Sequence, residues 1–116
     1  MRRGDVVIVD LPYAGGGGGK VRPALIVQND SDNQRLGNTV VAMISGNIRH
    51  AHEPTQVLID PGTRDGSGSG LHGPSVVKCV NLYTIRQMDI IRIAGKLSDA
   101  LMSALDVSLK AALGLI

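Results

Sequence analysis

Six short runs rich in Val and Ile, each cut off by Gly, Pro or Asn, limit what this chain can fold into. They cover residues 5–11, 21–28, 39–45, 55–60, 75–81 and about 89–94. Residues branched at Cβ lose freedom in a helix and fit a pleated strand. Each run is of strand length and has turn formers at its ends, so each is predicted as a strand. Pro23 cannot donate to a ladder, so the second strand should start at an edge or a bulge. Between the runs, residues 29–33, 47–54 and 61–74 are polar or turn-rich and are predicted as loops. Tyr13, Ala14 and the glycines Gly15–Gly19 form a segment with great backbone freedom, predicted as a mobile loop.

Only the last element has a helical pattern. Ser98 can cap its first turn, and Leu97 and Met102 occupy the positions of a hydrophobic staple. Asp99 and Lys110 complement the helix dipole at the two ends, and Gly114 is a natural stop. Leu101, Leu105, Leu109 and Leu113 recur every four residues and predict an apolar stripe over a helix spanning 99–113. Short strands joined by turns, with one terminal helix, predict a mainly β fold: a small antiparallel barrel carrying a helix.

At 116 residues the chain fits one domain, 1–116. It has no Trp or Phe, and Tyr13 and Tyr83 are its only Tyr residues, so the core must be Val, Ile and Leu with Met as filler. A nucleic-acid platform of stacked aromatics is thereby excluded. A net charge of +2 permits a polyanionic partner without requiring one. No apolar run is long enough for a membrane helix, and the charges of Met1–Asp5 are not followed by the apolar h-region of a secretory signal, so none is expected. The expected compartment is the cytoplasm, with no membrane partner. A lone cysteine, Cys79, excludes an internal disulfide and sits in an apolar strand, where thiols are usually inert.

Several motifs have plain readings. Gly15–Gly19 followed by Lys20 imitates a phosphate loop, but Ala14 replaces the first Gly, Val21 replaces the Ser or Thr, and no helix follows. His50, His52, Glu53 and His72 lie in loops and lack the paired spacing of a metal site. Arg3-Gly4-Asp5 is a turn leading into a strand. Arg22 is more informative. A residue before proline is held extended. A stiffened arginine next to a glycine segment suits phosphate recognition, and a surface ion pair explains it equally well.

Arg3-Gly4-Asp5-Val6-Val7, followed by Lys20-Val21-Arg22-Pro23-Ala24-Leu25-Ile26-Val27-Gln28-Asn29-Asp30, resembles the opening of the MazF/PemK toxins. The likeness continues through Thr39–Ser45, Gly70-Leu71, Ser75-Val76-Val77 and Tyr83-Thr84-Ile85, and extends to the closing amphipathic helix. The resemblance implies an SH3-like barrel with a C-terminal helix, assembled as a homodimer. It implies a metal- and cofactor-independent endoribonuclease that cuts single-stranded mRNA and is neutralised by a cognate antitoxin. It carries the catalytic arginine onto Arg22 and the phosphate-binding hydroxyl, usually Thr, onto Ser45. Lys20, Asn29, Asp30, Asn47, Arg49 and Lys78 are the expected RNA-binding residues.

The chain also departs from that family. Gly17 replaces an acidic residue that some members carry in the first loop, and the His of others is missing. The Arg and Asp that PemK-type members carry on the fifth strand become Lys78 and Val80. With that carboxylate gone, Asp30 is a candidate base. A non-cleaving RNA-binding regulator of the same fold is the alternative. A gyrase-inhibiting barrel relative is a second alternative, disfavoured because its C-terminal Trp is absent here.

Overall fold

The computed structural model describes residues 1–12 and 19–115. Tyr13, Gly17 and most of the expected glycine loop lie outside them. Six strands form one antiparallel sheet: β1 (Asp5–Pro12), β2 (Gly19–Ile26), β3 (Asn38–Ser45), β4 (Gln56–Ile59), β5 (Ser75–Arg86) and β6 (Arg92–Lys96). Their spatial order is β4-β5-β3-β2-β1-β6. Two helices join them, a short α1 (Asp30–Arg35) and the terminal α2 (Asp99–Leu113).

The sheet curls into a half-barrel. Its two edge strands are bridged by the loop that follows β4, where the Lys96 amide donates to the Gly68 carbonyl at 3.0 Å. The barrel expected from the sequence is therefore closed by a loop contact, and no strand pair joins its edges among the described residues. That approach needs glycine on both sides. Gly70 has φ +75°, and a Cβ there would run into the Ala94 carbonyl; one at Gly95 would meet Gly68 and Ser69 backbone.

Apolar residues fill both faces of the strands, which is why the runs show little alternation. On the inner face Val6, Leu25, Ala42, Ile44, Val57, Ile59, Val77 and Cys79 pack with Leu97 and Leu105 beneath α2. On the other face Val7, Val9, Leu11, Ala24, Ile26, Val41 and Met43 form a second buried cluster, flanked by Tyr83, Ile85 and Ile90.

Helix α2 begins and ends where the sequence predicts. The Ser98 side chain accepts the Leu101 amide, and Gly114 adopts the left-handed conformation at φ 70°. The leucine stripe is shorter than expected. Leu105 is fully buried, Leu101 and Leu109 are half-buried, and Leu113 is 56% exposed. A four-residue repeat advances about 40° beyond a full turn of a 3.6-residue helix, so its last member rotates off the core. No helix among the described residues is long and apolar enough to cross a membrane.

Four elements depart from expectation. Strand β2 runs over Gly19–Ile26 instead of 21–28, taking in Gly19 of the expected loop and ending before Val27. Residues 29–33, predicted as loop, begin α1, which carries no apolar stripe that could have signalled it. It is held by polar contacts: Asn29 caps it, and buried Asn33 accepts from Gln28 at 2.9 Å and from Thr39 at 2.7 Å. Strand β5 runs to Arg86 instead of stopping near residue 81. Its register against β3 slips between Ala42 and Met43, so the strand bends and the apolar pattern breaks at exposed Val80. The last strand starts at Arg92, because Gln87–Asp89 form a 3-10 turn.

Candidate functional site

Strands β2 and β3 pair only over Ala24↔Met43, Leu25↔Ala42 and Ile26↔Val41. Continuing that register would set Arg22 opposite Ser45, but the strands part before reaching it. Pro23 sits at this divergence, where no ladder bond to β3 is demanded of its nitrogen. The gap is a cleft of about 370 Å³ lined by Lys20, Arg22, Pro23, Ile44 and Ser45. Arg22 is half-buried, and its Nη1 lies 3.6 Å from the Met43 sulfur.

Ser45 ends β3. Its Oγ accepts the Asn47 amide at 3.1 Å, and the Asn47 Oδ1 accepts the Arg49 amide at 3.2 Å. These two side-chain turns lead the chain away from the cleft. The Ser45 hydroxyl keeps its own proton to donate. Lys78 lies on β5 directly opposite Met43, so it shares a sheet face with Met43 and Ser45, one strand spacing of about 4.8 Å beyond β3.

Lys20, Arg22 and Ser45 therefore converge on one cleft, Lys78 lies on the next strand, and Asn47 and Arg49 follow on the adjoining turn. Asn29 and Asp30 do not join them. They lie past the far end of β2, and Arg22 to Ile26 alone spans about 13 Å of strand. Asn29 is the cap of α1, and Asp30 accepts the Arg3 amide at 2.6 Å. That hydrogen bond holds the Asp30 carboxyl below its ordinary value, with Asn33, Arg2 and Arg3 adding to the effect against a burial penalty. Asp30 is thus a structural acceptor, distant from Arg22.

A second cavity of about 430 Å³ adjoins the first and shares Val21, Arg22, Pro23 and Gly46 with it. Its other walls include Ile8, Leu71, His72, Pro74, Ser75 and Arg92. Sequence reading treats His72 as an exposed loop residue; the structure keeps it exposed but sets it on this wall. Arg92 was not singled out by sequence. It reaches the cavity because β6 pairs with β1, placing Arg92 opposite Ile8. Pairing between residues so far apart in the chain leaves no local signal.

The other titratable candidates lie elsewhere. His50 faces Glu53 at 3.6 Å on the surface. Among the described residues no three His, Cys, Asp or Glu side chains cluster. Cys79 is buried, and desolvation pushes its thiol up to about 11, so it stays protonated and unreactive.

Comparison with known proteins adds an independent line. The model of the family described as PemK-like, MazF-like toxin of type II toxin-antitoxin system matches residues 2–113. The chain is 34% identical over 117 residues to Endoribonuclease EndoA of Bacillus subtilis, covering 100% of this chain and 97% of that protein. It is 38% identical over 119 residues to Endoribonuclease MazF of Staphylococcus saprophyticus, covering 99% and 92%. A mycobacterial endoribonuclease solved in complex with its cognate antitoxin superposes with a TM-score of 0.80 at 28% identity, over 100% of this chain and 97% of that one.

Proposed function

Because the chain belongs to the PemK-like, MazF-like family of type II toxins, we propose that it is an endoribonuclease that cleaves single-stranded mRNA without a metal or other cofactor, through Arg22 and Ser45. The observation that carries this reading is the convergence of Arg22, Ser45 and Lys20 on the cleft where β2 and β3 part.

The chemistry follows from those groups. The 2′-oxygen attacks the adjacent phosphorus, a new P–O2′ bond forms and the P–O5′ bond breaks. The products are a 2′,3′-cyclic phosphate and a 5′-hydroxyl. The 2′-proton passes to water, and the leaving 5′-oxygen takes a proton from water. As charge builds on the phosphoryl oxygens, the Arg22 guanidinium offers a planar pair of N–H donors and a full positive charge. Ser45 adds one hydroxyl donor, oriented by its bond to the Asn47 amide. Stabilisation of developing charge by prearranged donors is usually the largest catalytic term. Among the described residues no Asp or Glu lines either cavity, so these donors, with no carboxylate base, carry the rate. Lys20, Lys78 and Arg49 supply cations along the strand's path.

The same lack of a carboxylate supports a second reading, an RNA binder that does not cut. One experiment separates the two: incubate the full chain with a long RNA and excess EDTA, then map the new ends. Cleavage at recurrent sites with 5′-hydroxyl ends is expected; binding without new ends overturns the nuclease reading.

The likeness to a toxin solved with its antitoxin supports a cognate antitoxin as the protein partner. We also assign a homodimer, acting in the cytoplasm where mRNA lies, with residues 1–116 as one domain. Sedimentation at micromolar concentration should give twice the mass of one chain.

A further inference from the structure

We propose that the cavity beside Arg22 is a nucleobase subsite, and that Arg92 selects a guanine next to the cleaved bond. The proposal rests on the nuclease reading. The two cavities adjoin and share Val21–Pro23 and Gly46 as walls. A phosphate held by Arg22 and Ser45 therefore places a neighbouring nucleotide at the mouth of the second cavity. At about 430 Å³ the cavity lies in the range of small-ligand sites, which are mostly apolar with a few fixed polar groups. Here the apolar walls are Ile8, Val21, Pro23, Leu71 and Pro74. They flank a flat base by apolar contact.

The polar groups decide which base. Arg92 is exposed on β6, with its backbone held opposite Ile8. Among the described residues it forms no ion pair or side-chain hydrogen bond. Its fork therefore remains available to a ligand. A guanidinium only donates, and its paired N–H groups match the adjacent O6 and N7 acceptors of guanine. Adenine and cytosine set an exocyclic amine beside their acceptor, and a guanidinium, which only donates, leaves that amine without a partner at Arg92. Unpaired bases in single-stranded RNA expose the edge this reading requires.

Two measurements test this on the full chain. In the first, the parent, Arg92→Ala and Arg92→Lys cleave a random-sequence RNA under single-turnover conditions, and the ends are sequenced. The parent should favour guanine at one position flanking the cut. Both variants should lose that preference by about 5- to 150-fold, the worth of a good bidentate contact, while the other positions of the motif persist. In the second, fluorescein-labelled uridine decamers carrying one central guanine, adenine or cytosine are titrated with the same proteins. The parent should bind the guanine decamer tightest, and Arg92→Ala should bind all three alike. An unchanged guanine preference in Arg92→Ala overturns the subsite, and so does a uniform loss at every site. A parent that binds guanine selectively but never cuts refutes the nuclease reading and leaves the subsite standing.

Discussion

Replacing Arg22 by alanine should slow single-turnover cleavage of one mapped RNA site by about 10³-fold. A guanidinium and a phosphate oxygen about 4 Å apart attract by about 4 kcal/mol at the effective dielectric of a protein surface. At about 1.4 kcal/mol per decade that is close to 10³. Arginines that stabilise a phosphoryl transition state are worth about 10³–10⁵. The low end applies here because Arg22 is half-buried and its cleft opens to water. Arg22→Lys keeps a point charge and loses the planar fork, so it should recover only part of the rate. Ser45→Ala removes one neutral donor and the acceptor for the Asn47 amide, and should cost about 10². The double variant should fall short of the summed losses, because both groups act on one phosphate. Circular dichroism and melting supply the folding control. Arg22 lies outside both buried apolar clusters, so the fold should survive. If folded Arg22→Ala cleaves within tenfold of the parent, the reasoning is refuted.

Three further outcomes follow from the fold. Gly70→Ala forces a side chain onto positive φ against the Ala94 carbonyl and should cost about 2–4 kcal/mol, whereas Gly37→Ala, with open space around it, should be near neutral; urea melts compare them. Leu105→Ala empties a fully buried position under α2 and should cost about 2–5 kcal/mol, or roughly 4 °C in Tm per kcal/mol; Val107→Ala, 68% exposed, should stay within about 0.5 kcal/mol. Asp30 is held below its ordinary value of 3.8 by the Arg3 amide, so its contribution to stability is present above that value and is lost as pH falls through its folded pKa. Asp30→Asn should therefore be less stable than the parent at neutral pH and show a shallower loss in acid melts, with cleavage at neutral pH unchanged.

Local chemistry was enough for the elements whose signals lie within a few residues. Ser98 and Gly114 bound α2 because caps act on the adjacent turn. Strands β1 and β3 lie where β-branched runs occur, within a residue of the prediction. Arg22 before Pro23 already marked a stiff cation, which the structure sets inside β2 and not at its start, and the family resemblance gave it a role. The tertiary structure decided the rest. The polar network around Asn33 makes α1 a helix, and those partners include Gln87, more than fifty residues away. A register slip against β3 extends β5 past Val80, and such a slip exists only between two strands. The parting of β2 and β3 opens the cleft and aligns Arg22 with Ser45, while Asn29 and Asp30, close to Arg22 in sequence, are carried away by an extended strand. Arg92 meets the same site from the opposite end of the chain, because β1 and β6 pair. Periodicity and capping are properties of neighbouring residues and can be read along the chain. The convergence of groups on a site depends on pairing across long sequence separations, and only the folded sheet contains it.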